Sequence, residues 1–350
     1  MTQKQSTTYS QVWGKETQFF FALTPDKILD AVEAAGIRCS GRVLPLNSLE
    51  NRVYEVEIEV DDPSMLQTPS ERFRIAKFYR PGRWTPEQIL EEHQFLADLV
   101  EDEIPAVAPI PFPDGSTLRQ SVETGIWFCL FPKIGGRAIH ELDHAQLAQI
   151  GRLLARLHNV GAVRQVQHRT RLTPSSYGLN NLQVCLAEEI IPSHLARPYE
   201  ELVRRIVDII SPWFEKAPYQ RIHGDCHNGN LLWGSSGPFL VDFDDMVIGP
   251  PVQDIWLLLP GRDDDTLRQR RVLLEGYEQM GSFDHSTIRL IEPLRTLRMI
   301  HFATWIGKRL RDPAFPHAFP DYGTDRYWQE LIQDLHEQLE LITTADTELY

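Results

Sequence analysis

An α+β chain in two lobes is predicted by three observations. Period-two strand patterns begin at Val43 and run through 51–60 and 71–80, helical periodicity dominates from residue 144 onward, and a Pro/Gly-rich break lies between them. The smaller N-terminal lobe is expected to carry an antiparallel sheet and the larger C-terminal lobe to be mainly helical. At 350 residues with 42% hydrophobic content the chain can bury two cores. The expected divisions are a polar, mobile arm over 1–18, a first lobe over 19–131 and a second over 132–350.

Thr24-Pro25-Asp26 reads as a helix start, with Thr as N-cap, Pro in the first turn and an acid where the helix dipole favours one. Ile28, Leu29, Val32 and Ala35 give that helix its buried stripe, and Gly36 ends it. In NRVYEVEIEV (51–60), Tyr54, Val56, Ile58 and Val60 share one face while Glu55, Glu57 and Glu59 point away, the pattern of a half-exposed strand. In ERFRIAKFYR (71–80), Phe73, Ile75, Lys77 and Tyr79 share a face, so a lysine interrupts an apolar row. An isolated lysine there would snorkel to water; a functional one would pair with nucleotide phosphates.

TPEQILEEHQFLADLV (85–100) is an amphipathic helix capped by Thr85, with Pro86 in its first turn and Ile89, Phe95, Leu96 and Leu99 toward the core. Of its two central acids, Glu92 has the spacing to Phe95 and Leu96 that suits an inward turn. A strand lysine followed by a helix glutamate is the order of the ion pair that positions ATP in kinases. Proline-rich VAPIPFPDG then leads to the strand WFCLF and to PKIGGR, which reads as the inter-lobe hinge. Kinase hinges meet adenine through backbone groups, here expected at Pro132 and Ile134. Beyond it, a long helix covers 144–160, and others are expected near 182–190, 196–215, 252–260, 264–280, 286–310 and 325–343.

The densest polar stretch is HGDCHNGNLLWGSSGPFLVDFDD, His223 to Asp245. Asp225 and Asn230 stand five residues apart, the interval between the base and the metal-holding asparagine of a kinase catalytic loop, and Asp242 follows on a hairpin. Phosphoryl transfer needs a carboxylate for the acceptor proton and hard oxygen ligands for magnesium. A zinc site at His223, Asp225, Cys226 and His227 would need a second cluster of ligands, which the sequence lacks. A nucleophilic Cys226 is disfavoured by its neighbour Asp225, which would raise the thiol pKa. His223 is expected to fasten the loop, and Asp254 in GPPVQDIW to anchor it from a helix start. Asp244 and Asp245 suit turn formation as well as a water-mediated metal contact. Arg295 or Arg298 is expected either to pair with an acid of the cleft or to snorkel.

These motifs resemble the catalytic and metal motifs of the aminoglycoside phosphotransferase and choline kinase superfamily. More closely, PLNSLENRVYEV, AKFYRPGRWTPEQILEEHQF, HGDCHNGN, GPPVQDIW, IEPLRTLRM and DPAFPHAFP are similar, in that order, to the bacterial stress response kinase A family, from about residue 20 to 325. The resemblance implies a bilobal protein-kinase-like fold and transfer of the γ-phosphoryl group of Mg-ATP to a serine or threonine hydroxyl of a protein. It implies Asp225 and Asp242 as catalytic, Asn230 and Asp242 as magnesium ligands, and Lys77 with Glu92 on the phosphates. Ser48, in the glycine-free LNSLEN, takes the place of the phosphate-covering loop. The alternative acceptor is a small alcohol of the aminoglycoside, choline or homoserine type, because the catalytic core does not fix the acceptor.

The formal charge of -14 argues against nucleic-acid or anionic-membrane partners and for a basic or neutral acceptor. No basic-then-apolar leader and no apolar run of about 18 residues is present, and four scattered cysteines fit a reducing cytoplasm. A monomer is expected. Only a short link separates VDFDD from the helix near Val252, so no long activation loop is expected.

Overall fold

The computed structural model describes residues 20–62, 64, 66–139 and 141–348. The arm expected over 1–18 lies outside the described residues. Two compact units emerge, one running through Ala138 and including Leu232–Asp244, the other formed by Ile139–Leu231 and Asp245–Tyr350. Residue 132, where the sequence suggested the second lobe begins, is the last residue of a strand, and the hairpin after the Asp225 loop groups with the first unit.

In the first unit, helix α1 (Pro25–Ala34) starts as its capping residues dictate, with the Thr24 hydroxyl accepting from Lys27 N. The sheet contains β1 (Cys39–Leu46), β2 (Arg52–Ile58), β3 (Phe73–Phe78), β4 (Arg119–Gln120) and β5 (Trp127–Pro132) in the order β1-β2-β3-β5-β4. All its pairings are antiparallel. β3 lies at the centre, so both its edges are hydrogen-bonded. Ala76 and Phe78 pack with Val56, Phe128 and Leu130, while Tyr79 and Cys129 pack with Ile89 of α2 (Pro86–Glu101). The clean alternation read for 51–60 breaks at Glu55, which is buried against Lys133 at 2.6 Å instead of pointing into solvent. β1 starts ahead of the period-two pattern expected from Val43, because Ser40, Gly41 and Arg42 give no apolar alternation. The unit is completed by a two-stranded ladder, β7 (Leu231–Gly234) with β8 (Gly237–Leu240).

The second unit is mainly helical: α3 (His144–Val163), α4 (Asn180–Ala187), α5 (Ser193–Phe214), α6 (Val252–Leu258), α7 (Asp264–Tyr277), α8 (Ile291–Gly307), α9 (Ala314–Ala318) and α10 (Asp325–Glu348). The helix expected over 286–310 divides into a 3-10 turn at His285–Leu290 and α8. Helices α3 and α7 approach so closely that a Cβ on Gly151 would lie 2.0 Å from Leu273 O, and one on Gly276 would lie 2.2 Å from Ala148 O. Only glycine permits that contact. A small ladder of β6 (Gln220–Ile222) with β9 (Val247–Gly249) pairs Ile222 with Val247. It therefore sets the two ends of the Asp225 region side by side within this unit. β9 also fills the short link before Val252. Among the described residues no helix is long and apolar enough to cross a membrane.

Candidate active site

The sequence-predicted residues gather into two clusters, one in each unit. In the first, Lys77 leaves the central strand β3 and its side chain is 7% exposed. Its Nζ lies 3.0 Å from Asp244 Oδ1, 3.4 Å from Glu92 Oε1 and 3.5 Å from Asp242 Oδ1. Burial would pull the ammonium pKa down, but the carboxylates of Asp244, Glu92 and Asp242 outweigh it and hold the group charged, well above the ordinary lysine value. The expected Lys77–Glu92 pair is present. The closer partner is Asp244, which the sequence left undecided between a turn and a metal contact.

Asp242 has φ 60, a left-handed conformation that aspartate tolerates better than most residues. Its side chain is 58% exposed, so the carboxylate has free coordination directions. Arg83 binds Asp244 and lies 3.6 Å from Glu50. Arg80 donates from Nε to Glu50 O at 2.9 Å, and its backbone N–H donates to Asn51 Oδ1 at 3.0 Å. The loop between β1 and β2 that holds Ser48 is thus tied down by two arginines just beyond β3, which is how it keeps its shape without glycine. The YRPGRW segment carried that signal, two cations directly after the lysine strand, and the sequence reading passed over it. Ser48, Pro132 and Ile134 take no part in either ion-pair cluster. Ser48 is half-buried in its loop, Pro132 ends β5, and Ile134 is 48% exposed.

The second cluster is built on backbone. Asp254, fully buried near the start of α6, accepts from His223 N at 2.9 Å and from Gly224 N at 2.9 Å, one bond to each carboxylate oxygen. His158 Nε2 lies 3.0 Å from the same carboxylate, and its Nδ1 lies 3.0 Å from the Tyr277 hydroxyl. Gly224 has φ +84, and a Cβ there would come within 2.2 Å of Asp245 O, so the turn into Asp225 requires glycine. His223, fully buried, accepts from Asp225 N at Nδ1, 3.3 Å away.

His227 Nδ1 accepts from Gly229 N at 3.0 Å, which assigns the proton of the neutral ring to Nε2; that nitrogen faces Asp225 Oδ2 at 3.4 Å. Arg298, from α8, brings a guanidinium nitrogen to 2.7 Å from Asp225 Oδ1. Burial alone would raise the Asp225 carboxyl. The His227 hydrogen bond, Arg298 and His223 more than reverse that and hold it well below the usual carboxylate range. Asn230 Nδ2 donates to Asp225 O at 3.0 Å, so the amide oxygen is the end of the side chain not used in that bond.

Asp242 in the first unit and Asn230 in the second each carry a side-chain oxygen of the kind hard cations take. The imidazoles of His223 and His227 each accept a loop N–H at Nδ1. Cys226 is fully buried, and burial, followed by the charges of Asp254 and Asp225, pushes its thiol well above the ordinary value. It is no nucleophile.

A strand lysine braced by a helix acid, then an Asp/Asn loop, then an acid after a hairpin, follow one another in the order of a kinase-like phosphotransferase. Comparison with known proteins agrees, and the chain belongs to the phosphotransferase enzyme family, whose model matches residues 42–291. It is a kinase enzyme, similar to Stress response kinase A of Escherichia coli, with 38% identity over 331 residues that span 94% of this chain and 97% of that protein. Serine/threonine protein kinase RdoA of Salmonella typhimurium is 37% identical over 324 residues, 92% of this chain and 94% of that protein. Among solved structures, amicoumacin kinase hAmiN in complex with AMP-PNP, Ca2+ and Ami matches with TM-score 0.64 at 20% identity, covering 87% of this chain and 92% of that one. The microcompartment-associated aminopropanol kinase matches with TM-score 0.63 at 18% identity, covering 90% and 96%. At those identities the structures establish the fold.

Proposed function

We propose that the chain is a cytoplasmic serine/threonine protein kinase of the stress response kinase A type, moving the γ-phosphoryl group of Mg-ATP to a protein hydroxyl. The observation that carries this reading is Asp225: a carboxylate held ionised by Arg298 and His227 on a loop whose backbone is fastened to a second, buried carboxylate. Separating the working acid from the scaffolding acid lets the first meet a substrate without deforming the loop. The protein acceptor is supported by the name of the Salmonella relative.

In the proposed reaction the acceptor O–H bond breaks and its proton passes to Asp225. The acceptor oxygen forms a bond to the γ-phosphorus while the bond from that phosphorus to the bridging oxygen of ADP breaks, and ADP leaves. Lys77, braced by Glu92 and Asp244, supplies a fixed cation for the nucleotide phosphates. Asp242 and the amide oxygen of Asn230 are the proposed magnesium ligands; the bound ion would neutralise phosphate charge. The Ser48 loop is the proposed phosphate cover, and the backbone at Pro132 and Ile134 the proposed adenine contact.

The test is to incubate radiolabelled ATP with cell lysate and either wild type or Asp225→Asn, then separate protein from small molecules. Label in the protein fraction that depends on Asp225 is expected. Label confined to a small molecule would replace the protein acceptor with an alcohol such as an aminoglycoside, choline or homoserine. Equal labelling by the two enzymes would remove Asp225 from the mechanism.

A further inference from the structure

The two oxygens of Asp225 have different surroundings. Oδ2 faces the Nε2–H of His227. Oδ1 is buried and only 2.7 Å from Arg298, yet receives no aligned hydrogen bond: the contact is a charge pair whose N–H is not directed at the oxygen. The Asp225 side chain is 21% exposed, so an acceptor hydroxyl can approach the carboxylate only on its open side, with Arg298 fixed against the buried oxygen.

Arg298 stands beside that oxygen on a well-anchored helix. Leu294, Leu297, Ile300 and Ala303 bury the inner side of α8, while the Arg298 side chain is 38% exposed. A guanidinium carries five N–H donors in a planar fork, and one Arg298 nitrogen lies 2.7 Å from Asp225 Oδ1. From Pro293 to Arg311 the chain holds no acid at all, although its formal charge is -14.

We propose that Arg298 is a specificity-determining residue on the acceptor side of Asp225: its open N–H groups address a carbonyl or carboxylate beside the hydroxyl, as in a peptidyl serine or threonine, and its charge repels alcohols that bear an amine. This rests on the reading that Asp225 receives the hydroxyl proton. It sets local charge against total charge. Exposed charges beyond about 8–10 Å are largely screened at physiological salt, whereas a guanidinium beside the reacting oxygen acts at contact. The basic or neutral acceptor expected from total charge is thereby narrowed near the hydroxyl to one without an adjacent cation.

The experiment uses radiolabelled ATP, the full chain and three acceptors: a pool of N-acetylated, C-amidated Ser/Thr peptides, ethanolamine, and kanamycin. Wild type is expected to label peptides in preference to either amine. Arg298→Met is expected to raise the KM for the peptide pool about tenfold or more while the KM for ATP stays within about twofold, and to narrow the preference over ethanolamine. Arg298→Lys, which keeps the charge but loses the fork, should fall between the two and covers the case in which the Met variant folds poorly. Preference of the wild type for ethanolamine or kanamycin, no labelled peptide, or an unchanged peptide KM in both variants would overturn the proposal. Undiminished transfer by Asp225→Asn would instead strike at the reading beneath it.

Discussion

Lys77 is a buried cation ringed by carboxylates, whereas Asp225 is a carboxylate flanked by a guanidinium and imidazoles. The means of support differ as well. Lys77 sits on a strand hydrogen-bonded on both sides, and its partners are side chains, so that cluster is a balance of charges on a rigid frame. Asp225 sits on a loop whose hold is the Asp254 carboxylate gripping two consecutive backbone N–H groups. A change in the first cluster upsets charge balance; a change in the second alters loop geometry. Buried ion pairs lose much of their attraction to desolvation, so the Lys77 cluster is better explained by the need for a fixed cation than by stability.

The contrast can be broken at its strongest point by Asp254→Ala. That substitution strips His223 N, Gly224 N and His158 of one buried acceptor, and a loss of about 3–5 kcal/mol in urea unfolding is expected. A loss below about 1 kcal/mol would mean the loop is held elsewhere. Next in size is Lys77→Met, which removes the cation shared by Glu92 and Asp244 while Arg83 stays on Asp244. About 3 kcal/mol of stability is expected to go, together with most ATP affinity by calorimetry. Unchanged ATP binding there would detach the cluster from the nucleotide.

The smallest effect is a pH dependence. Despite burial, His227, Arg298 and His223 set the folded Asp225 pKa below its unfolded value. Such a group contributes stability that is present above the unfolded carboxylate value of about 4 and is lost as pH falls through the folded value. The stability gap between wild type and Asp225→Asn is therefore expected to narrow below about pH 4. A gap of constant size from about pH 7 to about pH 3 would contradict the assigned surroundings of Asp225.

Legibility followed the same division. Local signals were plain: Thr24 and Thr85 capped their helices where their hydroxyls and following prolines said they would. Lys77 and Glu92 could be paired from strand and helix periods, and Asp225 with Asn230 from a short motif. Long-range partners were harder, since nothing in a linear pattern says that Asp244 reaches Lys77 more closely than Glu92 does, or that Arg83 closes on Asp244 from 161 residues away. Arg298 was visible as a cation in an apolar helix, but its partner was not. Nothing in the linear pattern marks Gly151 and Gly276 as the points where α3 and α7 meet. The first half of β1 was missed because Ser40, Gly41 and Arg42 carry no apolar alternation.

The central claim is that the cluster around Lys77 serves nucleotide binding while Asp225 serves transfer, and one protein tests it. Asp225→Asn should bind ATP with a Kd within about twofold of wild type and lose about a thousandfold in phosphoryl transfer, the scale of a missing general base. Transfer within about tenfold of wild type, or loss of ATP binding alongside transfer, would contradict that division of labour.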